Sequence, residues 1–189
     1  MASTLVTAPA VAPITLAETK AHLRITHGEE DTLLEELIKT ATRFLAENDA
    51  ICAIRQTWRY YVDDVSVIHK VHRFPVIGIN VATVFDQEGN ATTLAPGAVE
   101  LDNRKRPAEF CFDGLANDAL ANNGAEVDFD IGFGDTAVDV PDTIKRALLV
   151  LVSHWYTLRV EVAPKDQPVS VPEQYSRLVA AFRVIGLGG

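Results

Sequence analysis

Leu33, Leu34, Leu37, Ile38, Ala41, Phe44 and Leu45 recur along one face of a 3.6-residue helix, and Glu35, Glu36, Lys39, Thr40 and Arg43 fall on the other. A shorter helix precedes this one. Thr15 and Glu18 have the spacing of a capping box, in which hydroxyl and carboxylate each satisfy an orphan backbone N–H, and Thr26 with Glu29 repeats it where the longer helix is expected to begin. The period then changes. Gln56 to Val62 is aromatic and β-prone, Ser66 to Val71 alternates, and Asp63-Asp64 between them predicts a hairpin. Further strands are expected at Ile79 to Phe85, Ala91 to Leu94, Ala98 to Leu101, Glu109 to Phe112 and Glu126 to Ile131, with Asp113 to Gly124 as loop. No helix-length crossover separates them, so antiparallel pairing follows.

Helix returns at Pro141, a residue suited to a first helical position because its missing N–H would be unsatisfied there. Ile144, Ala147, Leu148, Leu151, Val152, Trp155 and Leu158 give that helix a broad apolar face. Val160 to Val171, with two prolines, reads as an extended linker. Pro172 opens a last helix with Tyr175, Leu178, Val179, Phe182 and Ile185 inward, which Gly186 ends. The fold class is therefore α+β: a small bundle of about four helices with an inserted antiparallel β-rich middle region. Residues 1–13 form a flexible N-terminal arm, and 14–159 a core with helices at 14–48 and 141–159 and the insertion at 54–131. Residues 160–189 form the linker and C-terminal helix.

Charge narrows the function. A net charge of -9 argues against gripping nucleic acid by neutralising phosphates and suits a surface that DNA passes without sticking. No apolar run reaches the roughly 20 residues of a membrane span, and no positive charge precedes the apolar N-terminus as it would in a signal peptide. Cys52 and Cys111 lack CxxC spacing and read as a reduced pair.

Candidate chemistry is sparse. Gly132-Phe133-Gly134 lacks the third glycine of a dinucleotide turn and reads as a strand-end loop. Asp128, Asp130, Asp135, Asp139 and Asp142 could bind calcium, but Gly132 stands where an EF-hand needs an oxygen ligand; alternation places Asp128 and Asp130 on a solvent face. His69 and His72 would point to opposite faces of a strand, and His22, His27 and His154 have no motif partner. No serine sits in a G-x-S-x-G context. Arg104-Lys105-Arg106, the one basic run, could touch a phosphate or an acidic partner, or simply be a solvated loop. No catalytic, cofactor-binding or metal-ligating residue is expected.

Four segments, ITLAETKAHLRI, EEDTLLEELIKTATRFLAEN, QTWRYYVDD and VPDTIKRALLVLVSHWYTLRV, together with Leu178 to Arg183, resemble the head–tail connector (adaptor) family of tailed bacteriophages and gene transfer agents. The resemblance runs along nearly the whole chain. It implies a non-enzymatic virion component, made in the bacterial host cytoplasm and located at the head–tail interface. Such a subunit forms a homo-oligomeric ring, commonly of about twelve copies, between the portal and the tail-side stopper or neck proteins. DNA passes through its lumen without sequence-specific binding. It also implies that the segment from about Val160 to Gly189 meets the portal, with Tyr175, Arg177, Phe182, Arg183 and Leu187 as candidate contacts. Head-to-tail ring contacts need two different complementary surfaces. Glu29, Glu30, Asp31, Glu35 and Glu36 are the candidate acidic surface, and Arg43, Arg55, Arg59, Lys145 and Arg146 the basic one. Two rival readings are a cytosolic protein-interaction module without a virion role and a small enzyme of unassigned chemistry.

Overall fold

A computed structural model of the chain describes residues 1–114, 123–161 and 171–183. Among them are four α-helices and eight strands, all paired antiparallel, so the chain is α+β. It divides into two compact units, one built on Met1–Pro9 and Arg55–Gly132, the other on Ala10–Ile54 and Phe133–Arg183.

The helical unit holds α1 (Leu16–Leu23), α2 (Asp31–Asn48), α3 (Asp142–Glu161) and α4 (Glu173–Val179). Thr15 opens α1 with the expected capping box: its N–H donates to Glu18 at 2.7 Å, and the Glu18 N–H donates to its hydroxyl at 3.1 Å. The second box does not form. The N-cap of α2 is Glu30, without a side-chain cap. Its neighbouring carboxylates have other partners: Asp31 pairs with Lys20 at 2.6 Å, and Glu30 accepts from the Tyr156 hydroxyl. Ile38, Ala41 and Leu45 of α2 pack with Ile144, Ala147, Leu148, Leu151, Val152 and Trp155 of α3 in one buried core, and Leu34 of α2 is also buried. The helical period so plain in the sequence has its cause here: each apolar stripe leaves water only against the other. Pro141 sits just ahead of α3, its carbonyl accepting from the N–H groups of Ile144 and Lys145. The linker expected at Val160 to Val171 falls largely outside the described residues, as do Ile185 and Gly186. The last helix ends at Val179, earlier than its apolar spacing suggested.

The β unit contains a five-stranded sheet in the order β1 (Ser3–Thr7), β2 (Gln56–Val62), β8 (Ala125–Ile131), β4 (Val76–Phe85), β5 (Ala91–Thr93). A three-stranded sheet runs β3 (His69–Val71), β7 (Ala108–Phe112), β6 (Val99–Asp102). The two pack through aromatic rings, with Phe110 of β7 5.0 Å from Phe129 of β8, and Tyr60 of β2 edge-on to Phe129 at 5.5 Å. Three expectations need correction. The N-terminal arm is not loose, because Ser3–Thr7 pairs with β2 along Ser3↔Tyr60, Thr4↔Arg59 and Leu5↔Trp58. No hairpin joins β2 to β3: both edges of β2 are occupied, by β1 and β8, and β3 pairs with β7. The intervening chain folds on itself as Asp64 accepts from the Ser66 N–H and hydroxyl. Finally, β4 bulges twice, between Val76 and Gly78 and between Ile79 and Val81, which breaks the alternation by which its first residues could have been read as strand.

Most of the loop expected at Asp113 to Gly124 lies outside the described residues, but its final glycine is described. Gly124 has φ +82°, and a Cβ there would lie 2.4 Å from the carbonyl oxygen of Val62. Gly97 has φ +91° in open space. Gly124→Ala is therefore expected to destabilise the protein by about 2 kcal/mol or more and Gly97→Ala by about 1 kcal/mol, read from urea unfolding midpoints.

Candidate functional site

Few of the charges proposed for assembly are unengaged. On the acidic side, Asp31 and Glu30 are bound as described, while Glu29, Glu35 and Glu36 are exposed and have no ion pair with a described residue. On the basic side, Arg43 pairs with Glu47 one turn along α2 at 2.8 Å. Arg146 reaches His22 Nδ1 at 3.3 Å, Lys145 is half-buried near Glu18, and Arg55 is exposed. Arg59 is the clearest correction. Its guanidinium grips Asp128 through two bonds of 2.7 and 2.9 Å and Glu126 at 2.8 Å. The bond to Asp128 is the main reason its pKa is raised further. Asp128, expected on a solvent face, is only 5% exposed. It faces Arg59 directly across the ladder, while Asp130 accepts from Thr57. These carboxylates join β2 to β8, and Asp128 is buried against Arg59.

The expected portal contacts divide similarly. Tyr175 is 0% exposed, and its hydroxyl donates to Asp49 at 2.5 Å. Burial first, then that carboxylate, pushes its pKa well up. Arg183 donates to the other Asp49 oxygen at 2.7 Å. Phe182 is half-buried, edge-on to Phe133 at 5.9 Å. Of this set Arg177 is exposed and paired with Glu173, and Leu187 lies outside the described residues. Tyr175 and Phe182 thus hold α4 in the helical core. Asp49, which accepts from both Tyr175 and Arg183, follows α2 with no motif around it; only its position after a strongly amphipathic helix marks it in the sequence.

The remaining motifs are structural. Gly134 leaves room for the Asp139 carboxylate, since a Cβ there would lie 2.5 Å from it; that carboxylate accepts from the N–H and hydroxyl of Thr136. Among the described residues no group of three or more His, Cys, Asp or Glu side chains could hold a metal ion, and no helix is long and apolar enough to cross a membrane. Cys52 is buried and Cys111 half-buried; burial, then Glu100, raises the Cys111 pKa.

The Asp49 node should be measurable. Tyr175→Phe removes a buried bond to a carboxylate and is expected to cost about 2 kcal/mol in urea unfolding, whereas Arg177→Ala should stay within about 0.5 kcal/mol of wild type. The His22 contact adds a pH dependence. Burial, then the charge of Arg146, lowers the His22 pKa below its ordinary 6.5. The unfolded chain thus binds the proton more readily. The contribution of His22 is complete above about pH 6.5 and is lost as pH falls through the lower folded value. Melting temperature should therefore fall between pH 7.5 and 5, with a shallower slope in His22→Gln.

Residues 13–75 match the family model described as phage gp6-like head-tail connector protein. Comparison with curated protein sequences finds no match. Among solved structures, the chain is similar to one in the neck of an empty gene transfer agent (GTA) particle computed with C6 symmetry. The TM-score is 0.80 at 22% identity, covering 100% of this chain and 98% of the other. A chain in the virion of a native GTA particle gives a TM-score of 0.81 at 22% identity, and one in a native neck computed with C12 symmetry gives 0.77 at 21%, both with the same coverage. The resemblance read from the sequence therefore holds: residues 13–75 carry the signature of phage gp6-like head-tail connector proteins, and the chain shares its fold over its full length with a component of gene transfer agent particles.

Proposed function

We propose that the chain is a structural head–tail connector subunit, a non-enzymatic component of the neck of a phage-like particle. In this reading copies form a closed ring between the portal and the tail-side stopper, and the ring leaves a channel for DNA. The observation that carries it is the end-to-end correspondence with a neck component, 100% of one chain against 98% of the other. Those necks were computed with C6 and C12 symmetry, and a ring of twelve copies is our reading for this chain. Internal chemistry supports a passive role: strongly held side chains are engaged within their own units, Arg59 with Asp128 in one and Asp49 with Tyr175 in the other. The net charge of -9 suits a lumen that repels the DNA passing through it. Contact with the portal falls to the exposed side of α4, where Arg177 lies, because Tyr175 is buried.

Deleting the gene should leave filled heads and separate tails, and returning it should restore joined particles that contain the protein by mass spectrometry. Normal particles without it, or its absence from particles that assemble, would overturn the proposal.

A further inference from the structure

The basic run that looked like a solvated loop gains a neighbour in the fold. Arg104-Lys105-Arg106 forms the turn between β6 and β7, and β3 lies beside β7 with Lys70 opposite Glu109. This brings residues 70–73 alongside the turn: the Arg106 guanidinium lies 3.9 Å from the centre of the Phe74 ring. The two stretches, 70–73 and 102–109, hold five Lys and Arg residues against two carboxylates, Asp102 and Glu109, on a chain whose net charge is -9. The turn is anchored, since Asn103 Nδ2 donates to the carbonyls of Val76 and Ile77 at 3.4 and 3.2 Å. Its outermost cations are Arg104, 89% exposed, and Lys105, 55% exposed. Their bonds to Asp102 and Glu109 are surface pairs of the kind that exchange partners at little net cost.

Resting on the connector reading, we propose that this basic end of the small sheet docks on the acidic start of α2 in a second copy of the chain. Residues 29–36 carry five carboxylates and no cation, and Glu29, Glu35 and Glu36 are exposed there. Charge complementarity selects this occupant, and a head-to-tail ring needs two unlike patches of this kind on one chain. Duplex DNA is the poorer occupant. Affinity for it grows with the number of phosphates neutralised, while Asp102 and Glu109 stand inside the patch and Arg73 and Arg106 lie stacked on Trp58 and Phe74.

The test uses purified particles treated with a zero-length carbodiimide. A band of dimer mass should contain Lys105 joined to Glu29, Glu35 or Glu36. Genetic charge reversal provides the second measurement. Arg104→Glu with Lys105→Glu, and separately Glu35→Lys with Glu36→Lys, should each lower particle yield by about tenfold or more, and the four changes combined should restore it to within about threefold. Dimer cross-links elsewhere only, or no rescue in the combined variant, would overturn the proposal while leaving the connector reading intact. Normal assembly with loss of packaged DNA in the Arg104/Lys105 variant would assign the patch to DNA instead. Absence of the protein from particles would be failure of the connector reading itself.

Discussion

Asp49 occupies a position that electrostatics disfavours. It is the C-cap of α2, where the unsatisfied carbonyls already concentrate negative potential, and it is only 9% exposed. A carboxylate there is tolerable because two donors from the far end of the chain reach it, the Tyr175 hydroxyl at 2.5 Å and the Arg183 guanidinium at 2.7 Å. The dependence runs in both directions. Without α4 the carboxylate would be stranded at the wrong end of a helix dipole; without the carboxylate the phenol of Tyr175, 0% exposed, would be a buried hydroxyl with no acceptor at that point. One polar contact thus joins α2 to a segment more than 120 residues later in sequence. It explains why a helix of only seven residues holds its place.

The β unit solves its own ordering problem with a second buried charge. Arg59 faces Asp128, and Thr57 faces Asp130, on directly opposed positions of β2 and β8. A slip of one residue would turn each side chain to the other face of the sheet and separate every pair. Burying the ions costs desolvation, so the pair contributes less to net stability than to the choice of one register among several. The aromatic contacts of Phe110, Phe129 and Tyr60 supply the apolar burial on the opposite face.

Local physics was legible in the sequence, and long-range pairing was not. The Thr15–Glu18 box and the apolar stripes of α2 and α3 depend on residues within one or two turns, and the structure has them where spacing placed them. The Thr26–Glu29 box has the same local pattern but does not form, because α2 begins at Asp31 with Glu30 as its N-cap, so Thr26 and Glu29 precede the helix instead of capping it. Alternation made Asp128 look solvent-facing; only knowledge that β2 lies alongside could reveal Arg59 as its partner. Tyr175 and Phe182 are portal-contact candidates only through the family resemblance; their helical spacing turns them inward, and Asp49 and Phe133 stand opposite them there. The basic patch is the converse case. Its two stretches lie about thirty residues apart in sequence and become one surface through the β3–β7 ladder.

In the proposed ring, copies that each carry -9 repel one another, and the repulsion grows as the ring fills. At physiological ionic strength that field is screened beyond about 8 Å, so it acts chiefly between surfaces already close. In that proposed ring, opposite charges that meet at the contact itself, where screening is least effective, offset this repulsion. A chain that satisfies most of its arginines internally leaves few cations for this purpose. Arg59 is committed to the sheet and Arg183 to Asp49, while Arg104 and Lys105 are held by single exposed pairs that a neighbouring carboxylate can replace. Where cations are scarce and the net charge is strongly negative, their placement limits the ways in which copies can meet, because any other approach sets acid against acid. Specificity then comes from excluding wrong contacts as much as from the strength of the right one.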